Sequence, residues 1–382
     1  MKKFLFLLKR EFRLFFDNKV LMAIFLGAPL LYGILLGGVY QKGKVTDLPI
    51  LVIDLDHSPL SENLIQMMED NEVVVPMIKN DEFDLNKEII RKEYAAIIRI
   101  PENFEADVLQ KRNPEVVVDV NTANILTANY AAKALQVIFG TLNAGVEITA
   151  LNKQGVPIEN AKSLYNPIKI TYQKFYNSSG NYMNFLYPGV LGVIIQQVFM
   201  LALALSFSQE FESKTFETVL TKKVKNPFYL IFLKTLPFLI MGIGILFLLR
   251  LMFPLFHVPF HGDSWAMISI LFWLILSVSA LGIMVSIAIP SQLKATEILM
   301  VIATPSFILS GFTWPMSQMP VLIQSIANAI PLTHFLKALR KILLFNATTS
   351  DIVPELAILI GMTLLFWIVS VILLKFKIKK VP

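Results

Sequence analysis

The chain has 382 residues, of which 55% are hydrophobic and only 16% charged, with a formal net charge of +6 and a mean hydropathy of +0.62. A soluble globular domain carries about 25% charged residues; here the charge is missing from specific long stretches, which marks an integral membrane protein. The cations cluster beside apolar runs, where membrane orientation and anionic headgroups explain them and nucleic acid does not, and the absence of cysteine excludes disulfides, thiolate metal sites and cysteine nucleophiles.

Residues 1–19 alternate apolar Phe4, Leu5, Leu7 and Leu8 with basic Lys2, Lys3, Lys9, Arg10 and Arg13. That pattern predicts a helix lying in the cytoplasmic interface. Residues 20–40 follow as a first span, about 20 residues or ~30 Å of helix. The run is long, starts late and lacks a small-residue cleavage site, so it reads as an uncleaved anchor rather than a signal peptide. Pro29 inside it predicts a kink.

Residues 41–182 are richer in charge and hold no run expected to span. Pro49 to Asp54 reads as a buried strand, and Ser58-Pro59 as the cap and first residue of a helix reaching about Asp70. Strands follow at Val73 to Met77, Ala95 to Ile100 and Val116 to Val120. Asp81 is expected to cap a helix to about Lys92, and Pro101 to open a short one. Asn124 to Gln154 reads as one long helix with an apolar face at Ala131, Ala132, Leu135, Ile138, Phe139 and Leu142. Together these make a compact α/β domain. The flanking spans have their basic ends on the cytoplasmic side, which puts this domain outside.

The remainder, residues 183–382, is mostly membrane. Spans are expected at Phe185 to Phe207, Tyr229 to Leu249, Trp265 to Ile289, Glu297 to about Phe312, and Ile352 to Leu374. Ser317 to Phe345 is too broken by proline and polar residues to be an ordinary span, and reads as interfacial or re-entrant helices. Lys375, Lys377, Lys379 and Lys380 hold the tail inside. The expected architecture is therefore an α-helical polytopic membrane protein with about six transmembrane helices and both termini cytoplasmic, carrying an extracytoplasmic α/β domain between the first and second spans.

Between two of these runs lies a polar stretch, Ser208 to Pro227. Glu210, Glu212, Lys214, Glu217 and Lys222 offer one face of a short helix, and Phe211, Phe216 and Leu220 another. Such a helix lies at the membrane surface and presents polar groups to a partner; a solvated connector is the plainer reading. The chain has no phosphate-binding loop, no zinc-protease pair of histidines and no nucleophile elbow. Its spans hold almost no acids or histidines in their middles, so a proton or sodium relay is missing. An enzyme is disfavoured, and no cofactor or metal is expected on this chain. Asp54, Asp56 and His57 could be a ligand set, but turn chemistry explains them better. His257, His261 and Asp263 read as a solvated outer loop, and Gln196 and Gln197 as interhelical hydrogen-bonding groups or pathway lining.

The stretch SQEFESKTFETVLTKKVKNP resembles the cytoplasmic element of type-2 ABC exporter permeases. That element is written arginine-glutamate, glutamate-x-glycine-threonine-x-glutamate, a leucine pair and a proline. Glu210, Glu212, Thr215, Glu217, Leu220 and Pro227 stand at matching places, while Gln209 replaces arginine, Lys214 replaces glycine and Val219 replaces the first leucine. Leu309 to Phe312 with Pro315, Pro320, Ala329 to Thr333 and Arg340 is similar to the family's outer re-entrant region, residues 313–345 here. VIDLDHSPLSENLI, AAIIRIPENFEADV and VVVDVNTAN resemble its long outer loop, and KREFRLFFDNKVL its interfacial helix.

The resemblance implies a permease subunit, one of two lining the pathway, moving substrate out of the cytoplasm or inner leaflet. A separate cytoplasmic ABC ATPase would hydrolyse ATP while docked on a coupling helix at 208–227. Glu210, Glu212, Thr215 and Glu217 would face that ATPase, and Phe211, Phe216 and Leu220 would anchor the helix. Gly311, Pro315, Pro320, Pro331 and Arg340 would shape the outer region. The second permease would be a copy or a relative, and a periplasmic adaptor is a further candidate partner. The other reading is a membrane-anchored extracytoplasmic binding or assembly protein.

Overall fold

The computed structural model describes residues 2–79, 93–166, 171 and 173–380. It divides into two compact units, one of Met1–Gly43 with Lys174–Pro382 and one of Lys44–Gln173.

The first unit opens with α1 (Lys2–Asp17), which buries Leu7 and Phe15 on one side and exposes Leu5, Phe6 and Phe16 on the other. Asn18 ends it and starts α2 (Lys19–Val39): its side chain accepts the Leu21 N–H at 3.0 Å. A π turn, Ala23–Gly27, lies just before Pro29. Proline and π turns are both sites where a helix ladder is locally rearranged, and here the two lie next to each other.

The second unit is a four-stranded sheet with order β2-β1-β3-β4. Its strands are β1 (Leu48–Asp54), β2 (Val74–Ile78), β3 (Ala96–Ile100) and β4 (Val117–Val120). β1 pairs parallel with β2 and β3, and β3 antiparallel with β4. The alternation of side chains puts Ile50, Val52, Ile98 and Ile100 on one face. That face is covered by Leu64 and Met68 of α3 (Pro59–Glu69) and by Ala131, Leu135, Ile138 and Leu142 of α5 (Ile125–Lys153). Ser58 caps α3 in a reciprocal box with Ser61, and Pro59 takes the first helical position as expected. The short helix after β3, α4 (Phe104–Leu109), starts later than Pro101, behind Asn103 in the left-handed region. α6 (Ile158–Tyr165) follows α5. The helix expected from Asp81 to Lys92 lies outside the described residues.

The first unit resumes with α7 (Tyr182–Glu212), α8 (Pro227–Leu255), α9 (Ser264–Ala288), α10 (Gln292–Leu309), α11 (Val321–Asn328), α12 (Pro331–Phe345) and α13 (Val353–Lys379). α10 begins five residues before the expected Glu297, because Pro290 ends the preceding segment and Ser291 opens the next helix. α7 and α9 form the centre. Their apolar windows are 72% and 61% buried, against at most 33% for the other long helices. Gly282 lets the two approach: a Cβ there would meet the Met200 carbonyl at 2.7 Å. Ser286 then accepts the N–H groups of Phe207 and Ser208 at 2.8 and 2.9 Å.

Among the described residues, seven helices are long and apolar enough to cross a membrane, against about six expected. The additional one is α5, whose small and aliphatic residues lie against the sheet. Length and composition alone do not separate an apolar helix packed on a sheet from one facing lipid.

Candidate functional site

Ser208 to Pro227 is not one helix. α7 carries on through Glu212, because nothing in Ser208–Glu212 breaks the helix. The chain then turns at Ser213 and Lys214, the latter with φ +58°. A short π turn (Phe216–Leu220) and Thr221–Lys223 follow, and Asn226 caps α8 by accepting the Tyr229 N–H at 3.3 Å. The left-handed turn falls at the residue where the resembled element has glycine, which adopts that conformation without steric cost.

Glu210 is turned inward rather than toward a partner, correcting the expectation. Only 2% of its surface is exposed. Arg10 of α1 grips it with two parallel bonds, Nη1 to Oε1 at 2.7 Å and Nη2 to Oε2 at 3.0 Å. Lys234 of α8 reaches Oε1 at 2.6 Å, and the Thr215 hydroxyl donates to Oε2. Lys234 also pairs with Glu11 at 2.7 Å, and Arg10 with Glu11 at 2.9 Å. Two acids and two bases thus make a neutral buried network joining α1, the end of α7, the turn and the start of α8. Burying such charges is costly unless each is paired and hydrogen-bonded, and here each is. Burial works against the charge of Arg10, and its bonds with Glu210 and Glu11 outweigh that, holding the guanidinium above its ordinary value.

The other predicted residues divide between anchoring and exposure. Phe216 and Leu220 are buried, and Phe211 packs edge-on against Phe216 with ring centres 4.8 Å apart. Glu212 is exposed but engaged: it accepts the Gln292 N–H at 2.8 Å and its side-chain amide at 2.5 Å, holding the start of α10. Thr215 is half-buried under Glu210. Glu217 stays exposed, as do Thr218, Lys214, Lys222 and Lys223. Arg10, Glu11 and Lys234 were not assigned to the site from the sequence. The available signal was Lys234, an ionisable residue just inside an apolar run, where a charge needs a partner.

The residues named for the 313–345 region fall at its turns and helix starts. Gly311, with φ +79°, turns the chain after α10. Pro315 precedes a 3-10 turn at Met316–Gln318, Pro320 precedes α11, and Pro331 takes the first turn of α12. Arg340 of α12 donates to the Phe312 carbonyl at 2.6 Å and lies 4.8 Å from the Phe312 ring centre. One side chain thereby ties α12 back to the turn at Gly311.

The remaining candidates resolve as local structure. Asp54 accepts the N–H groups of Asp56 and His57 and the Ser61 hydroxyl, which closes a turn before α3. Slight burial pushes the Asp56 carboxyl up; bonds from Ser58 and from the N–H groups of residues 103–105 reverse this and leave it below the usual range. Asp263 caps α9 at Trp265. Gln196 is buried and donates to Ser306 at 2.9 Å, between α7 and α10. No group of three or more metal-ligating side chains occurs among the described residues.

A family profile described as "ABC-2 family transporter protein" matches residues 19–372. The chain is 25% identical over 351 residues to the "Inner membrane transport permease YhhJ" of Escherichia coli K12, covering 89% of each protein. It is 24% identical over 293 residues to the "Probable multidrug ABC transporter permease YbhS" of the same organism, 74% of each. It is also 23% identical over 355 residues to "ABC transporter G family member 20" of Dictyostelium discoideum, covering 88% of this chain and 45% of that protein. With a family match over most of its length and seven helices apolar enough to span among the described residues, the chain is a multi-pass membrane permease that belongs to the ABC-2 family of transporters.

Proposed function

We propose that the chain is the permease subunit of an ATP-driven exporter in a bacterial inner membrane, moving substrate out of the cytoplasm or inner leaflet. A cytoplasmic ABC ATPase on another chain binds at the exposed side of the short helix after Lys214, with Glu217 at its centre. Two permeases form the pathway, with both termini cytoplasmic and the α/β unit of residues 44–173 outside, where an adaptor has access to it. The names of the relatives support the membrane and the transport role.

The observation that carries the coupling role is the buried network of Arg10, Glu11, Glu210 and Lys234. A push on Glu217 passes to the anchored Phe216 and Leu220, then through Thr215 to Glu210. From there it reaches α1 and α8 through charge-assisted bonds, which are short, strong and directional. Glu212 carries the same displacement to α10. An exposed connector would need none of these ties.

Purification from native membranes in mild detergent, with the co-purifying proteins identified and ATP hydrolysis assayed, tests the reading. A stoichiometric ATPase is expected. Glu217→Lys is expected to abolish coupled export, or release the ATPase, while insertion and melting temperature stay unchanged. Normal export by that variant would remove the docking role from this surface.

A further inference from the structure

A pocket of ≈ 300 Å³ opens beside the coupling turn, between it and the end of α13. Its floor is aromatic, from Phe211 and Phe216, and its rim carries Lys214, Lys377 and Lys380 with Glu217. Lys377 is half-buried, its ammonium 4.2 Å from the Phe211 ring centre. Among the described residues none of the three lysines forms an ion pair. The buried network a few residues away, by contrast, pairs every charge it holds.

Three cations facing one carboxylate leave the pocket positive. Lys379 and Lys380 complement the negative end of α13. Lys214, however, comes from a different element, a left-handed turn, so the charge exceeds what the helix end needs. The chemistry that satisfies several lysines lining one pocket is a phosphate. Two sources offer one: a phospholipid headgroup, or a free phosphate or nucleotide. Lys377 and Lys380 follow directly on the apolar length of α13, and Ile372 and Phe376, on one adjoining helix face, are 47% and 62% exposed. Acyl chains attached to a phosphate in the pocket would find that apolar surface; a free phosphate would make no use of it.

We infer that Lys214, Lys377 and Lys380 form a binding site for the headgroup of an anionic phospholipid. The bound headgroup bridges the turn after α7 and the end of α13, beside the contact of the Lys377 ammonium with the Phe211 ring at the end of α7. The site needs no ATPase, so its test is independent of the docking proposed above.

The cysteine-free chain allows a single environment-sensitive dye at Thr218→Cys, on the full-length protein in detergent. The probes are dioctanoyl phosphatidylglycerol, dioctanoyl phosphatidylcholine and inorganic phosphate. Phosphatidylglycerol is expected to give a saturable change that phosphatidylcholine and phosphate do not. Lys214→Gln and Lys380→Gln should each weaken it about fivefold, the contribution of one lysine near an anionic surface. Lys214→Arg and Lys380→Arg should retain it, which separates lost charge from lost fold, and Lys44→Gln should leave it unchanged. Equal response to both lipids, or no effect of either glutamine variant, overturns the inference. Phosphate binding as tightly as phosphatidylglycerol overturns the lipid assignment.

Discussion

Glu210 shows how far one side chain's environment can depart from its sequence neighbourhood. It sits in a run of charged residues, which ordinarily means a solvated face. The long helix before it carries it past the apolar segment and turns it under α1, where Arg10 and Lys234 close on it. Removing its charge leaves Arg10 and Lys234 to share Glu11 alone, one buried positive charge in excess. Glu210→Gln is therefore expected to cost about 3 kcal/mol of stability, read as a lower melting temperature of the purified protein. Glu217→Gln, at an exposed carboxylate, should stay within about 0.5 kcal/mol of the parent. Equal effects of the two would show that the network is not held as described.

The segment 208–227 also explains a departure from the family's pattern at the level of an element. The resembled motif has glycine where this chain has Lys214, and Lys214 holds φ +58°. A side chain with a Cβ pays roughly 1 kcal/mol in that region. Lys214→Gly should accordingly raise the melting temperature of the purified, lipid-free protein, by about 0.5–1 kcal/mol in stability. The same variant also removes the lysine's charge, so it should weaken the response to phosphatidylglycerol about fivefold, as Lys214→Gln should. A lower melting temperature in Lys214→Gly would show that the lysine side chain itself stabilises the turn.

For the whole molecule the testable quantity is topology. The proposed orientation puts the α/β unit outside and the coupling turn inside. Because the chain has no cysteine, one cysteine at Thr122→Cys should react with an impermeant thiol reagent added to intact cells. One at Thr218→Cys should react only after the membrane is opened. The reverse pattern would invert the orientation and remove the ATPase-facing role of Glu217. Labelling at Ala144→Cys, midway along α5, extends this to the seventh apolar helix: reaction from outside accords with a helix packed on the sheet, and protection from both sides with one in lipid.

Much of the architecture was legible because it follows from local rules. Long apolar runs, Ser58 with Pro59, Asn124 before α5, and the alternation in β1 and β3 each bear their signal within a few residues. The left-handed turn at Lys214 was legible only through the family's glycine. What the sequence by itself determined, then, is a membrane protein of ABC-2 type, where most of its helices and strands run, and which stretch is polar between spans. What only the tertiary structure decided is which polar residues are free to act. Arg10, Glu210 and Lys234 are up to 224 residues apart in number, and no periodicity brings them together. Their pairing depends on three helices converging, and burial, not composition, turns Glu210 into an internal tie and leaves Glu217 at the surface.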